Sequence, residues 1–355
     1  MPSHLYSFGS NGKYQLGLGH DQDTHIPNPV ESDVLPPVPP KALAAGGNHT
    51  ILVYPDGNAY SVGDNECGQS GLGEDSVTVP HFTKVKGSWS AAAAGWEFSI
   101  FVSASGTEVY SAGRGTRGEL GLGTDALLTG RRRALQHIPD FPPPGRTVTE
   151  VAAGVAHVIC TLDDDSVWAW GDGRKGQLEG AYEKTKVWWT PRDTGLKAIP
   201  RNFYNVEKRV ACGREFTLIQ TEDGPMLLGG GPRDRWQIAS IPSYIPATVK
   251  NVGACWSSGH VVSSDGRVIS WGRNDRGQGA PDCLPSIKLI ASGSEHVLAQ
   301  DYQGNIYAWG WNEHGNCGRE DKLDVTGIHV IREGDTVSAS DGFIAAGCGT
   351  SWFWR

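Results

Sequence analysis

The chain has no run of apolar residues near the roughly 18 needed to span a bilayer, and it opens MPSHLYSFG rather than with an apolar signal core. Nor does it carry an excess of positive charge: 31 Lys and Arg stand against 39 Asp and Glu, a formal charge of −8. Sequence-independent attraction to nucleic acid or to an anionic membrane is therefore not expected. Paired cysteines are missing as well. Cys67, Cys160, Cys212, Cys255, Cys283, Cys317 and Cys348 are scattered, and no two form a CxxC pair. A disulfide framework or a structural zinc site needs tighter spacing, so free thiols in a reducing compartment are expected. No stretch long enough for a globular helix keeps helical periodicity. These absences predict a soluble, cytoplasmic protein.

Glycine, by contrast, is abundant: 48 residues, close to twice the usual share, with 21 prolines beside them. That much turn-former points to many short strands joined by turns. At 355 residues, length alone would allow two or three domains. A repeat argues otherwise. Its first half reads small–small–Gly–x–x–(His/Phe), an apolar stretch, then Asp-Gly or similar, as in AAGGNHTILVYPDG from Ala44, AAGWEFSIFVSASG from Ala93 and ASGSEHVLAQDYQG from Ala291. The second half is a strand ending in Gly followed by a glycine-rich turn, as in YSFGSNGKYQLGLG from Tyr6, YSAGRGTRGELGLG from Tyr110 and YAWGWNEHGNCG from Tyr307. Each half occurs seven times. Copies recur every 40 to 60 residues or so, the range of propeller blades, and TILVY, SIFVS and HVICTL are strand-like.

The two ends specify the closure. The last first-half copy, AAGCGTSWFWR, stops at Arg355, and the first second-half copy starts at Tyr6. A blade assembled from both termini closes a ring and removes an exposed edge. The expected fold is an all-β, seven-bladed β-propeller over residues 1–355, closed by N- and C-terminal strands sharing one blade. Two proline-rich insertions, around 20–41 and 130–146, are expected to be surface excursions.

The stretch YAWGWNEHGNCG looks like chemistry, with Glu313, His314 and Cys317 close together. Aligned with the other turns, Cys317 falls in the slot of Leu16, Leu120 and Leu178 and reads as a buried hydrophobe. His314 shares a mostly polar slot with Lys13, Cys67, Arg117, Lys175, Asp234 and Arg276, so a shared metal would need one side chain out and the other in. Trp311 stands where the other turns have Ser10, Asp64, Arg114, Asp172, Gly231 and Arg273. Such an aromatic either anchors a partner or lies over the neighbouring blade. The GxxH slot holds His49, Phe98, His157, Phe216, Ser258, His296 and Thr350; since phenylalanine fills two of these places, packing explains the slot better than a metal or proton relay. Near it stand Trp96, Trp256, His260, Cys348 and Trp352. The GxG fragments around Gly171 and Gly229 open no helix that would cradle a phosphate. There is no GxSxG, HExxH or HxE…CxxC motif, and no catalytic, cofactor-binding or metal constellation is expected. Arg131, Arg132 and Arg133 read as a solvated loop run, or as a site for an acidic partner.

These repeats resemble those of the regulator of chromosome condensation family, whose units carry the Gly-x-x-His, Asp-Gly and Trp-Gly-x-Asn-x-x-Gly-Gln-Leu-Gly pattern. SFGSNGKYQLGLGHD from Ser7, with GSEHV, WGWNEHGNCG and AAGCGTSW, resembles more narrowly a fungal branch of compact propellers associated with killer-toxin insensitivity. That resemblance implies a non-enzymatic propeller in a heterodimer with a small zinc- or iron-binding diphthamide biosynthesis protein. Through it, the chain would support Elongator-dependent modification of tRNA wobble uridines and diphthamide synthesis on elongation factor 2. Elongator would be reached indirectly, with no direct nucleic acid and no membrane. The residues expected to bind the partner are Trp311, Glu313, His314, Trp256, His260 and Trp96. Guanine nucleotide exchange on a small nuclear GTPase, and a generic adaptor role, are the alternatives.

Overall fold

The computed structural model describes residues 4–73, 76–124, 134–201, 206–334 and 342–355, and they form 26 strands with no α-helix. Strands β1 (Leu5–Gly9) and β2 (Thr24–Pro29) open the chain. Six sheets follow in order. They are β3 to β6 (Ala42–Ala45, His49–Val53, Ala59–Asp64, Thr78–Val85) and β7 to β10 (Trp89–Ala94, Phe98–Ser103, Val109–Gly113, Gln136–His137). Next come β11 to β14 (Val148–Ala153, His157–Leu162, Ser166–Asp172, Val187–Lys197) and β15 to β17 (Val210–Cys212, Phe216–Thr221, Gly224–Gly229). The last two are β18 to β20 (Val249–Ala254, Ser258–Ser263, Val268–Gly272) and β21 to β24 (Ile287–Ser292, His296–Asp301, Ile306–Gly310, Val325–Arg332). Finally β25 (Ile344–Ala346) and β26 (Thr350–Trp354) join β1 and β2 in one sheet of order β2-β1-β26-β25. Counting that sheet as blade 1 and proceeding along the chain gives seven blades. Terminal closure follows the expectation: β1 pairs antiparallel with β26, from Leu5 opposite Trp354 to Gly9 opposite Thr350.

The recurrent glycines have a steric cause. The glycine ending the third strand of each blade (Gly9, Gly63, Gly113, Gly171, Gly229, Gly272, Gly310) has φ between +93° and +111°. A Cβ there would lie 2.2 to 2.6 Å from the carbonyl oxygen just before the GxxH slot. Neither the left-handed backbone nor the contact tolerates a side chain. Gly63→Ala is expected to cost about 2 kcal/mol or more, read from the urea midpoint. The GxxH glycine keeps clear of the slot ring itself: a Cβ on Gly46 would meet His49 at 2.3 Å and one on Gly213 would meet Phe216 at 1.9 Å. Blade 6, with Ser258 in the slot, carries Cys255 in place of that glycine, and Cys255 is buried.

Each junction between blades carries one hydrogen bond to a turn carbonyl of the preceding blade. Four come from hydroxyls: Thr50 to Gln15 O (2.8 Å), Ser99 to Gln69 O (2.6 Å), Thr217 to Gln177 O (2.8 Å) and Ser351 to Asn316 O (2.6 Å). Three come from indoles: Trp170 to Glu119 O (2.8 Å), Trp271 to Ile238 O (2.8 Å) and Trp309 to Gln278 O (3.0 Å). Buried apolar residues of adjacent sheets pack around these links, as Ile100, Val158 and Ile219 do across blades 3 to 5. Recurrent tryptophans thus both fill the junctions and satisfy buried carbonyls.

The two insertions are more structured than expected. Residues 24–29 of the first form β2, which pairs with β1 as the outer strand of the closing blade. In the second, Ile138 and Phe141 are buried, and the Phe141 ring lies 5.4 Å from Trp168 and 5.5 Å from Trp170. Arg131, Arg132 and Arg133 lie outside the described residues.

Candidate partner-binding face

The GxxH loops follow the inner strands and therefore gather on one side of the disc, around the mouth of the central channel. Main-chain hydrogen bonds pass from loop to loop: Gly47 N to Trp96 O (3.2 Å), Trp96 N to Val155 O (3.2 Å), Arg214 N to Trp256 O (3.1 Å), Trp256 N to Ser294 O (2.7 Å) and Ser294 N to Gly347 O (3.0 Å). Their amides are thus occupied, while the side chains of Trp96 and Arg214 are exposed and that of Trp256 half-buried. Trp96 belongs to blade 3 and Trp256 to blade 6, yet their rings are 5.9 Å apart at 54°. Rings three blades apart meet only over the axis, so this pair covers the channel mouth.

Three clefts open around Trp256, of about 510, 330 and 200 Å³, and Trp256 lines all three. The largest has Trp96, Phe98, Glu119, Arg114 and Arg117 in its walls. The second is edged by Arg233, Arg235 and Trp236, the third by Arg273, Trp311, Glu313 and Cys348. Arginines lie over the aromatic faces: Arg214 is 5.7 Å from Trp256, and Arg235 and Arg273 are 4.5 and 5.3 Å from Trp236. Such stacking keeps a guanidinium flat and ready for a planar anion.

Most charges at this face are matched. Arg273 pairs with Asp275 and Glu295, both at 2.6 Å; Arg117 with Asp172 at 3.2 Å; Arg114 with Glu97 at 3.4 Å. Burial pushes the carboxyls of Glu119 and Glu295 up, against the lowering effect of the donors each accepts. Burial likewise pushes the Cys348 thiol up to about 11, so at neutral pH it is not the thiolate a nucleophile or metal ligand requires. Among the described residues no three His, Cys, Asp or Glu side chains gather as a metal set.

The structure separates the residues singled out from sequence. Trp96 is 41% exposed, Trp256 and Trp311 are half-buried, and Glu313 is exposed, all on this face. Trp311 lies close to Gly349 of the neighbouring blade 1. Its ring stands edge-on to His314 at 5.2 Å, and its indole N–H donates to Glu313 at 3.2 Å. His314 is a strut more than a free anchor: its Nδ1 is 2.7 Å from Asp23, which ties blade 7 to blade 1. Cys317 is fully buried under the same turn, with its Sγ 3.3 Å from the Trp311 carbonyl. His260 requires a correction. It is 0% exposed, hydrogen-bonded to Ser258 and Ser270, and offers no surface. Two residues beyond Ser258 on the same strand, it shares that residue's inward face. Trp352 is buried too.

Arg214, Arg235 and Trp236 escaped the sequence reading. Arg214 occupies the same loop place as Trp96 and Trp256, and that register was the available signal. Trp236 sits in the weak fifth turn, where the alignment had least to hold.

The profile of the RCC1-like domain matches residues 4–352. An RCC1 repeat-containing protein of Schizosaccharomyces pombe is 33% identical over 368 residues, covering 98% of this chain and 97% of that protein. The secretion-regulating guanine nucleotide exchange factor of Bos taurus is 30% identical over 370 residues, covering 90% of this chain and 77% of that protein. Among solved structures, Prp20p from Saccharomyces cerevisiae superposes with a TM-score of 0.81 at 20% identity, covering 100% of this chain and 91% of that one, which is a likeness of fold.

Proposed function

The chain belongs to the RCC1-like domain family, and from that premise we propose that it is a non-enzymatic propeller whose GxxH-loop face binds a protein partner. The observation that carries this reading is Trp256, half-buried at the meeting point of three clefts, with Trp96 against it and Arg214 over it. Aromatic and arginine side chains clustered inside a polar rim are the usual makeup of an energetic centre in an interface. The partner proposed is the small zinc- or iron-binding diphthamide biosynthesis protein, on the strength of the segments from Ser7, Gly293, Trp309 and Ala345 quoted above. In that heterodimer the chain would support wobble-uridine modification through Elongator and diphthamide synthesis, in the cytoplasm and the nucleus. Trp256, Trp96 and Trp311 serve as anchors, with Glu313 as a polar neighbour; His314 holds Trp311 in place.

Size-exclusion chromatography with light scattering on the two purified proteins tests this directly. A one-to-one complex is expected, whereas separate peaks at micromolar concentration would sink the partner assignment. Within the complex, Trp256→Ala is expected to weaken binding by about 30-fold or more, read by calorimetry. Unchanged affinity would move the interface elsewhere.

A second reading, guanine nucleotide exchange on a small GTPase, is favoured by the bovine relative's identity and coverage. Release of a fluorescent guanine nucleotide from a small nuclear GTPase, unchanged by added protein, would eliminate it.

A further inference from the structure

Glu119 stands in a slot that other blades fill with a neutral side chain. In four other blades this place is glutamine, whose side-chain oxygen accepts the main-chain N–H two residues earlier: Lys13 to Gln15 (2.8 Å), Cys67 to Gln69 (2.9 Å), Lys175 to Gln177 (2.8 Å) and Arg276 to Gln278 (2.9 Å). Glu119 accepts from Arg117 N in the same way. The turn therefore needs an acceptor, and a neutral amide supplies it equally well. A carboxylate instead takes an ionised group out of water, which costs stability unless something compensates.

Among the described residues, Arg117 compensates this charge in part. Glu119 is 7% exposed and lines the 510 Å³ cleft, and its Oε2 takes the Arg117 main-chain N–H. The arginines nearest it are committed elsewhere, Arg117 to Asp172 at 3.2 Å and Arg114 to Glu97 at 3.4 Å. Around the cleft stand Trp96, Phe98 and Trp256, aromatic groups that attract a cation through their faces. Arg214, over Trp256 at the mouth, is the remaining positive group, and an acidic residue beside the incoming cation would match it.

We propose that this cleft is a receiving site for a basic side chain, a lysine or arginine of the docked protein that passes Trp96 and Trp256 to bring its cation against Glu119. The inference rests on the reading of this face as the partner-binding one and adds the chemistry of the inserted group. It also gives the aromatic pair a specific role, since their rings would cover the stem of the inserted side chain.

The test is Glu119→Gln, which reproduces the residue of four other blades and so keeps the turn. Its thermal midpoint is expected to equal or exceed that of the wild type, which shows the fold to be intact. Affinity for the small zinc-binding protein is expected to fall by about tenfold or more, as when one member of a buried charge pair is removed. A complex equally tight with Glu119→Gln overturns the inference and leaves the partner reading standing. Should the wild type form no complex at all, the partner assignment fails, and a second probe decides the cleft. N-acetyl-arginine amide, titrated at millimolar concentration against tryptophan fluorescence, is expected to quench the wild type more strongly than Glu119→Gln. N-acetyl-norleucine amide is expected not to distinguish the two proteins. Absence of any Glu119-dependent quenching by the arginine probe overturns the site.

Discussion

Four buried histidines are expected to cost the propeller on the order of 10 kcal/mol of stability between neutral pH and pH 4. His49, His157, His260 and His296 are each held at about 4 against an ordinary value of 6.5, because burial penalises the imidazolium. The unfolded chain takes up these protons as pH falls below about 6.5, whereas the folded chain takes them up only near pH 4. Their contribution is thus fully present above pH 6.5 and is lost as pH falls through that window, on the order of 3 kcal/mol per histidine. The hydrogen bonds give the same answer by another route. His49 lies 2.8 Å from Ser99, His157 3.1 Å from Thr217 and His296 2.8 Å from Ser351, and each hydroxyl donates onward to a turn carbonyl. Each Nε2 must therefore carry the donated hydrogen, leaving Nδ1 bare, and all three Nδ1 atoms are buried without a partner. A proton placed there would find no acceptor. Urea midpoints measured above pH 6.5 and near pH 4 should differ steeply. His49→Phe, which copies the slot of blades 3 and 5, should narrow that difference by about a quarter of the histidine total. A midpoint independent of pH across the window would show that these histidines do not control acid stability.

Loss of Arg209 is expected to destabilise the protein by about 3 kcal/mol, more than an ordinary surface substitution by a wide margin. Arg209 is 1% exposed and stands just before β15, at the end of that strand away from the aromatic face. Its guanidinium donates to Asp165 (2.6 Å), Ile199 O (3.1 Å), Thr149 Oγ1 (2.9 Å), Thr161 Oγ1 (2.8 Å) and Glu150 (3.3 Å). All five guanidinium N–H donors are thereby employed across blades 4 and 5. Arg209→Ala leaves two carboxylates facing a vacated space; because Glu150 and Asp165 remain 19% and 26% exposed, water relieves part of the cost. Arg209→Lys should recover little, since an ammonium cannot span partners arranged for a planar fork. Equal midpoints for wild type, Arg209→Ala and Arg209→Lys would refute the role assigned to this network. Partner affinity should be unaffected in any variant that folds, as the site lies at the opposite end of β15.

Repeat order, blade number and closure from both termini were determined by the sequence itself. Those features rest on local rules: short apolar, β-branched runs such as HTILV and FSIFV that make strands buried on both faces, and glycine wherever a positive φ meets a carbonyl. The inward placement of Cys317 was legible for the same reason, since seven turns aligned on one glycine show which slots are apolar. What only the tertiary structure decided are relations between blades. That Trp96 meets Trp256, that Arg209 collects partners from Thr149 to Ile199, and that the hydroxyls and indoles reach one carbonyl per junction all depend on ring geometry rather than on chain neighbours. His260 shows the limit from the other side: closeness to the GxxH slot in sequence suggested the surface, but one strand register turned the side chain inward. Glu119 shows it again, because a Glu for Gln exchange reads as minor until the fold places that carboxylate, buried, in the wall of an aromatic cleft.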